Sequence, residues 1–492
     1  MKILFLLKVS THVRHFEGVI ELLADRGHHV RLATPQGRDE VPLPARLLAH
    51  KRISHIVAPG RRGDDWNDAV HALRAFTDYV RYLEEPFLPA EKLRTRAFRN
   101  FVKASTREMQ THASANCPSC GVKIVDDELG RMILSVGSVG MRNLNDLLRR
   151  AESAVPSDAR HEAFLREEQP DVMLVTPLVS LGSREADFVT SARALGIPVG
   201  LPVFSWDNLT TKGIIHVKPD RVFVWNDVQK DEAVRYHDIV ADDVSVVGAP
   251  RFDEFFALKP KTTREEFCAR FGLDGAQPLL TYLCSSAFVA GSEVEFVRLW
   301  IDEIRKHPSL QSCGILIRPH PRTLREWRSL DVSAWRNVGV TVFSGAEADQ
   351  LLYDTLYHSA AAVGLNTSAQ IETGIVGRPV YTILAPGFEG GQEGTLHFTY
   401  LLASNGGFVE VAATFDEHRT QLADAVAGRY DEDRIRRFVQ SFVRPAGLDT
   451  PVAPLMADAI EKMAKARGGS VVTRLIRASH RPARSDPHAR QS

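Results

Sequence analysis

MKILFLLKVSTHVRHFEGVIELLADRGHHVRLATP, residues 1–35, is the stretch of sequence that decides the predicted fold. Ile3 to Leu7 is an uninterrupted apolar run, which is typical of a parallel strand buried on both faces. Apolar residues from 16 to 23 then recur near helical spacing, and Gly27 is suited to end that helix. Val30 to Ala33 forms a second apolar strand. Strand, helix and strand in this order predict a βαβ unit.

From residue 64 to about 154 the apolar spacing becomes helical. The pattern predicts helices over Trp66–Glu85, Ala90–His112 and Asp126–Arg150, with prolines between the first two. We interpret this block as an α-helical insertion in the first domain.

Short apolar runs alternate with helical patterns in the rest of the chain. The predicted strands are Val172–Val175, Val199–Phe204, Val222–Trp225, Val244–Val247, Leu279–Leu283, Gly314–Ile317, Val340–Phe343, Ala360–Leu365 and Pro379–Leu384. Two such α/β halves predict two facing, doubly wound, Rossmann-like domains. We place them at 1–240 and 241–467, with Val244–Val247 opening the second domain or the linker into it.

The last segment, 468–492, has a different composition, with five arginines and a single acidic residue. Its prolines disfavour a helix, and we predict a disordered basic tail. Such a tail either adds solubility or attracts the protein to an anionic membrane surface.

Composition narrows the class of protein. The chain has 492 residues, and its 61 Lys and Arg balance its 61 Asp and Glu, which argues against a protein that coats nucleic acid. Five cysteines do not make a disulfide framework. No apolar run reaches the roughly 18 residues of a membrane span, and the short first run is better explained by a strand than by a signal peptide. We expect a cytoplasmic protein, soluble or peripheral at the inner membrane face.

Two histidines, His12 and His15, lie between the first strand and its helix. Ligands of parallel α/β sheets bind at the carboxyl ends of strands, and imidazole is suited to general base catalysis near neutral pH. We therefore take both as candidate catalytic residues; the alternative is that they cap or pack the helix start.

The sequence FSWDNLTTKG, residues 204–213, follows another predicted strand. Its mixture of aromatic, acidic, amide, hydroxyl and cationic side chains predicts a ligand site. Asp207 is the candidate base or orienting group. The alternative is an Asx-type turn in which Asp207 and Asn208 bond their own backbone. The residues that would hold an anionic or sugar-like ligand here are Trp206, Asn208, Thr210 and Lys212.

Three segments in the second half suit an anionic ligand. Arg251 in GAPRFDEF and the hydroxyls of Ser285 and Ser286 in CSSAF each follow a strand, where phosphate groups bind. Arg318 in IRPHPRT offers a planar fork for phosphate, and His320 is held between two prolines. The alternatives are an inter-domain connector at Arg251 and a capped turn at the two serines.

A further candidate site for a phosphate-containing ligand lies in GLNTSAQIETGIVGRPV, residues 364–380. Asn366, Thr367 and Ser368 open a predicted helix, and Glu372 lies one turn after Ser368 on the same face. The hydroxyls could hold phosphate and the carboxylate a ribose, whereas simple helix capping would explain the hydroxyls alone.

We predict no metal site. The pair Cys117 and Cys120 has no second pair to complete a zinc site, and Asp431-Glu432-Asp433 is best explained as an acidic helix start.

The motifs RPHP (318–321), NTS (366–368) with Glu372, GRPV (377–380) and GAPR (248–251) together resemble those of GT-B glycosyltransferases. Within that class the chain is similar to the capsule and teichoic-acid CDP-glycerol glycerophosphotransferase-like group and to the non-hydrolysing UDP-N-acetylglucosamine 2-epimerases. The resemblance covers roughly 170–386 and the first βαβ unit.

The resemblance implies that the second domain binds a nucleotide-sugar donor. Arg318, His320 and Ser368 would contact the diphosphate, and Glu372 the ribose or sugar hydroxyls. The acceptor, a glycan, lipid-linked glycan or small molecule, would lie on the first domain near His12, His15 and Asp207. It also implies a metal-independent transferase with no cofactor and no nucleic-acid partner. The alternatives are an epimerase, a glycerophosphotransferase or a non-catalytic nucleotide-binding protein.

Overall fold

A computed structural model describes residues 1–35, 41–116, 123–286, 293–321, 323–327, 330–341, 347–385, 391–392 and 394–465. The predictions for Cys117 and Cys120 and for the basic tail at 468–492 lie outside the described residues.

The first sheet is parallel and has seven strands in the order β3-β2-β1-β4-β5-β6-β7. The strands are β1 Lys2–Leu7, β2 His29–Pro35, β3 Ile53–Ala58, β4 Val172–Thr176, β5 Val199–Pro202, β6 Arg221–Val224 and β7 Val244–Val246. The predicted βαβ unit is confirmed. Its helix ends at Asp25, and the turn that follows contains Gly27, whose φ of 93° is accessible to glycine at little cost.

The second sheet is also parallel, with six strands in the order β10-β9-β8-β11-β12-β13. The strands are β8 Leu279–Leu283, β9 Gly314–Arg318, β10 Val338–Val340, β11 Ala361–Val363, β12 Val380–Ile383 and β13 Val409–Ala412. The strand order reverses between β1 and β4 in one sheet and between β8 and β11 in the other. Ligands of open α/β sheets bind outside the strand ends at such reversals.

Helices cover the two sheets. Those of the first half are α1 Glu17–Asp25, α2 Ala45–Leu48, α3 Trp66–Arg81, α4 Glu91–Ala104, α5 Arg107–Ser114, α6 Asp126–Leu134, α7 Gly137–Ser153, α8 Ala159–Glu168, α9 Glu185–Ala194, α10 Asn208–Thr211 and α11 Asp227–His237. Those of the second half are α12 Asp253–Ala257, α13 Arg264–Arg270, α14 Val294–Arg305, α15 Leu324–Trp327, α16 Ala348–His358, α17 Ala369–Ile375, α18 Leu396–Leu401, α19 Phe415–Val426, α20 Glu432–Phe442 and α21 Val452–Lys465. Within the described part of the chain, no helix combines the length and the apolar character needed to cross a membrane.

The predicted helical insertion is present as α3 to α7, which we call the helical block. The predicted helix Trp66–Glu85 ends four residues earlier, at Arg81, and each of the other two predicted helices is broken in two. The one over Ala90–His112 is broken where Thr106 caps α5 by accepting a hydrogen bond from the Met109 N–H at 3.3 Å. The one over Asp126–Arg150 is broken before α7, where Gly137 has a φ of 69°.

The sequence patterns missed two strands, β3 and β13. In β3 only the end residues Ile53 and Ala58 are buried, and the four residues between them alternate between half-buried and exposed, so no apolar run marks the strand. β13 is only four residues long, and two of its side chains are half-buried.

Two segments assigned to the second domain lie against the first. β7 pairs with β6, so the first sheet extends beyond the boundary expected at residue 241. Helix α21 packs on the first sheet, where Met456, Ala457 and Ile460 share a core cluster with Ile3 and Phe5. The chain therefore crosses back onto the first domain at its end.

The return crossing is fixed by Asp253. Its carboxylate accepts hydrogen bonds from the backbone N–H groups of Val452 at 2.8 Å and Ala453 at 2.7 Å, and it pairs with Arg444 at 2.6 Å. A carboxylate at a helix start satisfies N–H groups that have no partner within the helix.

We expect Ile460→Ala to reduce the free energy of unfolding by about 2–5 kcal/mol, because a fully buried side chain is removed from the core beneath α21. Denaturant unfolding measures the change. The control is Lys462→Ala on the exposed face of the same helix, which should leave stability nearly unchanged. Equal effects of the two substitutions would contradict the packing described for α21.

Candidate functional site

The two candidate histidines lie at the strand reversal of the first sheet. They belong to a 3₁₀ turn, Ser10–His15, that follows β1. Both rings stack on Phe204, which follows β5, with ring centroids 4.7 Å apart in each case. The structure therefore brings the first loop and the segment 204–213, which we call the Asp207 loop, to one place.

Both imidazoles are held in the neutral form. Burial and the charges of Lys8 and Lys212 lower the pKa of His12 to about 4. Burial and the charge of Arg251 lower the pKa of His15 well below its ordinary value. The Nδ1 atom of each ring is buried without a hydrogen-bond partner. One face of each ring packs on Phe204, as the packing alternative expects. The unpartnered Nδ1 atoms are not explained by packing and are available for a hydrogen bond.

Asp207 is a fixed anion within its loop. Its carboxylate accepts hydrogen bonds from Ser205 Oγ at 2.5 Å and Thr211 Oγ1 at 2.9 Å. Burial alone would raise the pKa of this carboxyl, but Lys212, His397 and the two hydroxyls outweigh burial and hold the pKa well below its usual range. The side chain does not bond the backbone of its own turn, so the Asx-turn alternative is wrong for Asp207.

Three of the four predicted acceptor-binding side chains are used inside the protein. Trp206 is buried and packs edge-on against His397, with ring centroids 4.8 Å apart. Asn208 and Thr210 are buried; the Asn208 amide lies 3.5 Å from the Asp207 carboxylate, and the Thr210 hydroxyl donates to the Asp207 carbonyl at 3.4 Å. These three side chains are therefore occupied by contacts within the protein. The fourth residue, Lys212, acts on the site through its charge, which lowers the pKa of His12 and of Asp207.

The helical block holds the backbone of the Asp207 loop. The buried guanidinium of Arg81 donates to the carbonyl oxygens of Leu209, Lys212 and Gly213. The Tyr82 hydroxyl donates to the Lys212 carbonyl at 2.7 Å. The insertion therefore positions the loop that carries Asp207, the candidate base or orienting group.

In the second sheet, the loops after β8 and β11 meet at the strand reversal. The Asn366 N–H donates to Ser285 Oγ at 3.3 Å, and the Ser285 N–H donates to the Glu293 carboxylate at 2.5 Å. Burial raises the pKa of Glu293 to about 7. Ser285 is buried, and its hydroxyl joins the two loops, so its predicted donor contact is replaced by an internal one. Ser286 remains half-buried beside it.

Arg251, Arg318 and Glu372 form a charged group at the same edge. Arg251 Nη2 lies 3.4 Å from Glu372 Oε1, while Glu372 Oε2 is buried with no hydrogen-bond partner. Burial raises the pKa of Glu372 against the opposing charges of both arginines. Burial lowers the pKa of Arg318, and Glu372 opposes that shift.

The remaining donor candidates lie on the neighbouring loops. Ser368 is exposed and precedes α17 without making a side-chain cap, and Thr367 is half-buried, so helix capping does not account for the Ser368 hydroxyl. His320 is half-buried, and its carbonyl accepts from the Thr323 N–H at 2.9 Å, which tightens the turn after β9.

The sequence patterns missed His397, which links the two halves of the site. Its Nε2 lies 3.4 Å from the Asn366 side-chain amide, and its ring contacts Trp206 of the first domain. Burial lowers the pKa of His397 to about 4, with Asp207 opposing the shift, and Nδ1 is buried without a partner. A histidine among apolar residues in the sequence gives no signal of this role, because its partners lie on distant segments.

Among the described residues no group of three or more His, Cys, Asp or Glu is arranged to hold a metal ion. Metal independence remains a prediction of the sequence resemblance.

We expect His397 to make the protein less stable as the pH falls. An imidazole with a pKa of about 4 in the fold and near 6.5 in the unfolded chain binds more protons when unfolded, so stability declines between those values as pH is lowered. The slope is on the order of 1 kcal/mol per pH unit. Unfolding of the wild type and of His397→Gln at pH 7 and pH 5 measures it.

The wild type should lose more stability than His397→Gln over this interval, because glutamine does not titrate. His29→Gln, at an exposed histidine, is the control and should keep the wild-type difference. An identical pH dependence for His397→Gln and the wild type would refute the neutral, buried imidazole.

Known proteins resemble this chain in fold. No protein family matches the sequence, and no curated protein matches it. A glycosyltransferase from Rickettsia africae has a TM-score of 0.50 at 10% identity, with 95% of this chain and 99% of that chain covered. The UDP-GlcNAc 2-epimerases of Neisseria meningitidis, bound to UDP-GlcNAc, and of Methanocaldococcus jannaschii have TM-scores of 0.48 and 0.46. Their identities are 13% and 12%, with 94% of this chain and 100% and 99% of those chains covered. At 10% identity the likeness to the Rickettsia africae glycosyltransferase concerns the fold alone. The two parallel sheets with their helices form the GT-B-like architecture of two Rossmann-like domains that the sequence predicted.

Proposed function

We propose that this protein is a glycosyltransferase that moves a sugar from a nucleoside-diphosphate donor to an acceptor hydroxyl. The observation that carries the proposal is Glu372, a buried carboxylate with one oxygen unpartnered, between Arg251 and Arg318 at the strand reversal of the second domain. A carboxylate accepts hydrogen bonds from hydroxyl groups, and a guanidinium donates hydrogen bonds to phosphate. This group therefore suits a nucleotide better than an uncharged ligand.

The donor would bind across this group. The carboxylate of Glu372 would accept hydrogen bonds from the hydroxyls of the ribose or sugar. Arg318, with Arg251, would stabilise the negative charge of the departing diphosphate. Ser368 and His320 lie on loops next to these residues and would make further polar contacts. Arg251 and Arg318 supply the positive charge that would stabilise the leaving diphosphate, and we propose no metal ion.

His12 is the proposed base for the acceptor. Its Nδ1 has no partner, and its low pKa leaves it neutral and able to accept a proton at pH 7. The acceptor oxygen attacks the anomeric carbon, its proton passes to His12, and the bond from that carbon to the diphosphate oxygen breaks. A bound diphosphate would offset the positive charges of Lys8 and Lys212 and raise the pKa of His12, which makes it a stronger base.

Asp207 and His397 are proposed as positioning residues. The ionised carboxylate fixes Lys212 by charge and is itself held by two hydroxyls. The ring of His397 contacts Trp206 of this loop and the Asn366 amide of the second domain. We propose that this contact helps to align the reactants held by the two domains.

The acceptor is proposed to be a precursor of a surface polysaccharide or glycoconjugate, which follows from the sequence resemblance. Membrane contact through the tail and a cytoplasmic location are proposed on the same basis.

We expect one nucleoside diphosphate among UDP, GDP, CDP and dTDP to raise the melting temperature, because a ligand at a hundredfold excess over its Kd stabilises the native state by about 2.7 kcal/mol. Arg318→Ala should remove the shift, because the diphosphate loses its buried cation. Arg429→Ala is the control: it removes an exposed arginine of the same domain that pairs with Asp424. A panel with no shift for any nucleotide would contradict the proposed donor site.

We expect His12→Gln to bind the donor as the wild type does and to lower transfer about 10²–10⁴-fold, the contribution typical of a general base. Release of nucleoside diphosphate with and without a candidate acceptor is the measurement, and His29→Gln is the control. Release that needs an acceptor supports transfer. Interconversion of the donor sugar without any acceptor would show an epimerase, and binding without turnover a non-catalytic protein.

A further inference from the structure

The tip of the α6–α7 hairpin exposes an unusual number of apolar side chains. Met132, Leu134, Val136 and Val139 are exposed by 63%, 39%, 53% and 60%, and they fall within eight consecutive residues. We call these four side chains the apolar tip. They are the densest group of exposed large hydrophobic residues in the described part of the chain.

The apolar tip is not part of the core of the helical block. The side chains of the same hairpin that pack inward are different ones: Ile133, Met141 and Leu148 are buried in the core cluster of the block. The fold therefore does not need the exposed residues to be apolar. Exposed apolar clusters of this kind mark surfaces that contact a partner or a membrane.

The charged residues nearest to the apolar tip in the sequence are cations. The segment LGRMILSVGSVGMRNLN, residues 129–145, contains Arg131 and Arg142 and no acidic residue. Both arginines are exposed. Acidic side chains stand at the boundaries of the segment, Glu128 before it and Asp146 after it. Apolar groups whose nearest charged neighbours are cations complement a surface that is apolar within and anionic at its boundary.

We propose that the apolar tip docks the protein on an anionic lipid bilayer. The four apolar side chains would enter the boundary between headgroups and acyl chains. Arg131 and Arg142 would keep their guanidinium groups at the lipid phosphates while their stems follow the apolar groups inward. This contact lies on the first domain and is separate from the tail, and it does not depend on the proposed catalytic activity.

A second copy of the chain fits the same surface less well. In a symmetric dimer each patch meets its own image, so an interface centred on the apolar tip would bring the arginines of the two copies together. Like charges at an interface oppose association. An anionic bilayer, in contrast, attracts each basic residue near its surface.

Co-sedimentation of the full chain with vesicles tests the proposal. The vesicles contain either phosphatidylcholine alone or equal parts of phosphatidylcholine and phosphatidylglycerol. The test variant is Met132→Ser/Val136→Ser/Val139→Ser, and the matched control is Val240→Ser/Leu299→Ser, which alters exposed apolar residues elsewhere. A full-length Arg474→Glu/Arg477→Glu variant measures the contribution of the tail.

We expect the wild type and the control to bind the anionic vesicles equally and at least tenfold better than the neutral ones. The apolar-tip variant should lose at least tenfold in partitioning, with the wild-type melting temperature and far-ultraviolet dichroism. If that variant is destabilised, Arg131→Gln/Arg142→Gln replaces it, with the same expected direction.

Three results would overturn the proposal. The first is a wild type that does not bind anionic vesicles. The second is binding that the tail variant abolishes and the apolar-tip variant leaves intact. The third is a wild type that is dimeric by light scattering and becomes monomeric in the apolar-tip variant, which would assign the surface to a second copy.

Discussion

The buried guanidinium of Arg81 is the interaction on which the candidate site depends. It has no acidic partner at hydrogen-bond distance among the described residues; instead it donates to three backbone carbonyl oxygens of the Asp207 loop. Burial lowers the pKa of this guanidinium, and the carbonyl oxygens compensate by solvating the charge. Without Arg81 each of those oxygens would lose a donor. Tyr82 would still donate to the Lys212 carbonyl and His237 Nε2 would still lie 2.8 Å from the Leu209 carbonyl, whereas a Gly213 carbonyl left buried without a partner would cost about 1–3 kcal/mol. The helical block is therefore a structural support for the site and not an independent appendage.

The site combines fixed charges with neutral imidazoles. Asp207 supplies negative charge, whereas Lys212, Arg251 and Arg318 supply positive charge. Glu372 adds a carboxyl group whose pKa is raised by burial. Burial and the positive charges together lower the pKa values of the neighbouring histidines, as for His12 beside Lys212 and His15 beside Arg251. A ligand carrying two phosphates would change this balance more than any uncharged ligand. The electrostatics of the cleft are thus coupled to whatever anion it binds.

The sequence predicted those features that depend on neighbouring residues. Apolar runs such as Ile3–Leu7 and Leu279–Leu283 mark central strands because a strand covered on both faces excludes polar side chains. Because the apolar runs locate the strands, they also locate the candidate residues that come directly after the strands. The edge strand β3 and the break at Thr106 were missed because alternating burial and a single capping hydrogen bond leave weak patterns. The role of His397 and the burial of Trp206 depend on contacts between segments nearly 200 residues apart, which no local pattern records.

The return of α21 to the first domain has a consequence for how the chain is made. The first sheet is fully synthesised once β7 is complete, yet its core still lacks Met456, Ala457 and Ile460. During translation the apolar face under α21 waits uncovered until the entire second domain has left the ribosome. The two domains therefore do not mature one after the other, as consecutive domains usually do. The final step of assembly closes the core of the domain that was begun first, and a chain interrupted late in synthesis would keep that face open to chaperones and proteases.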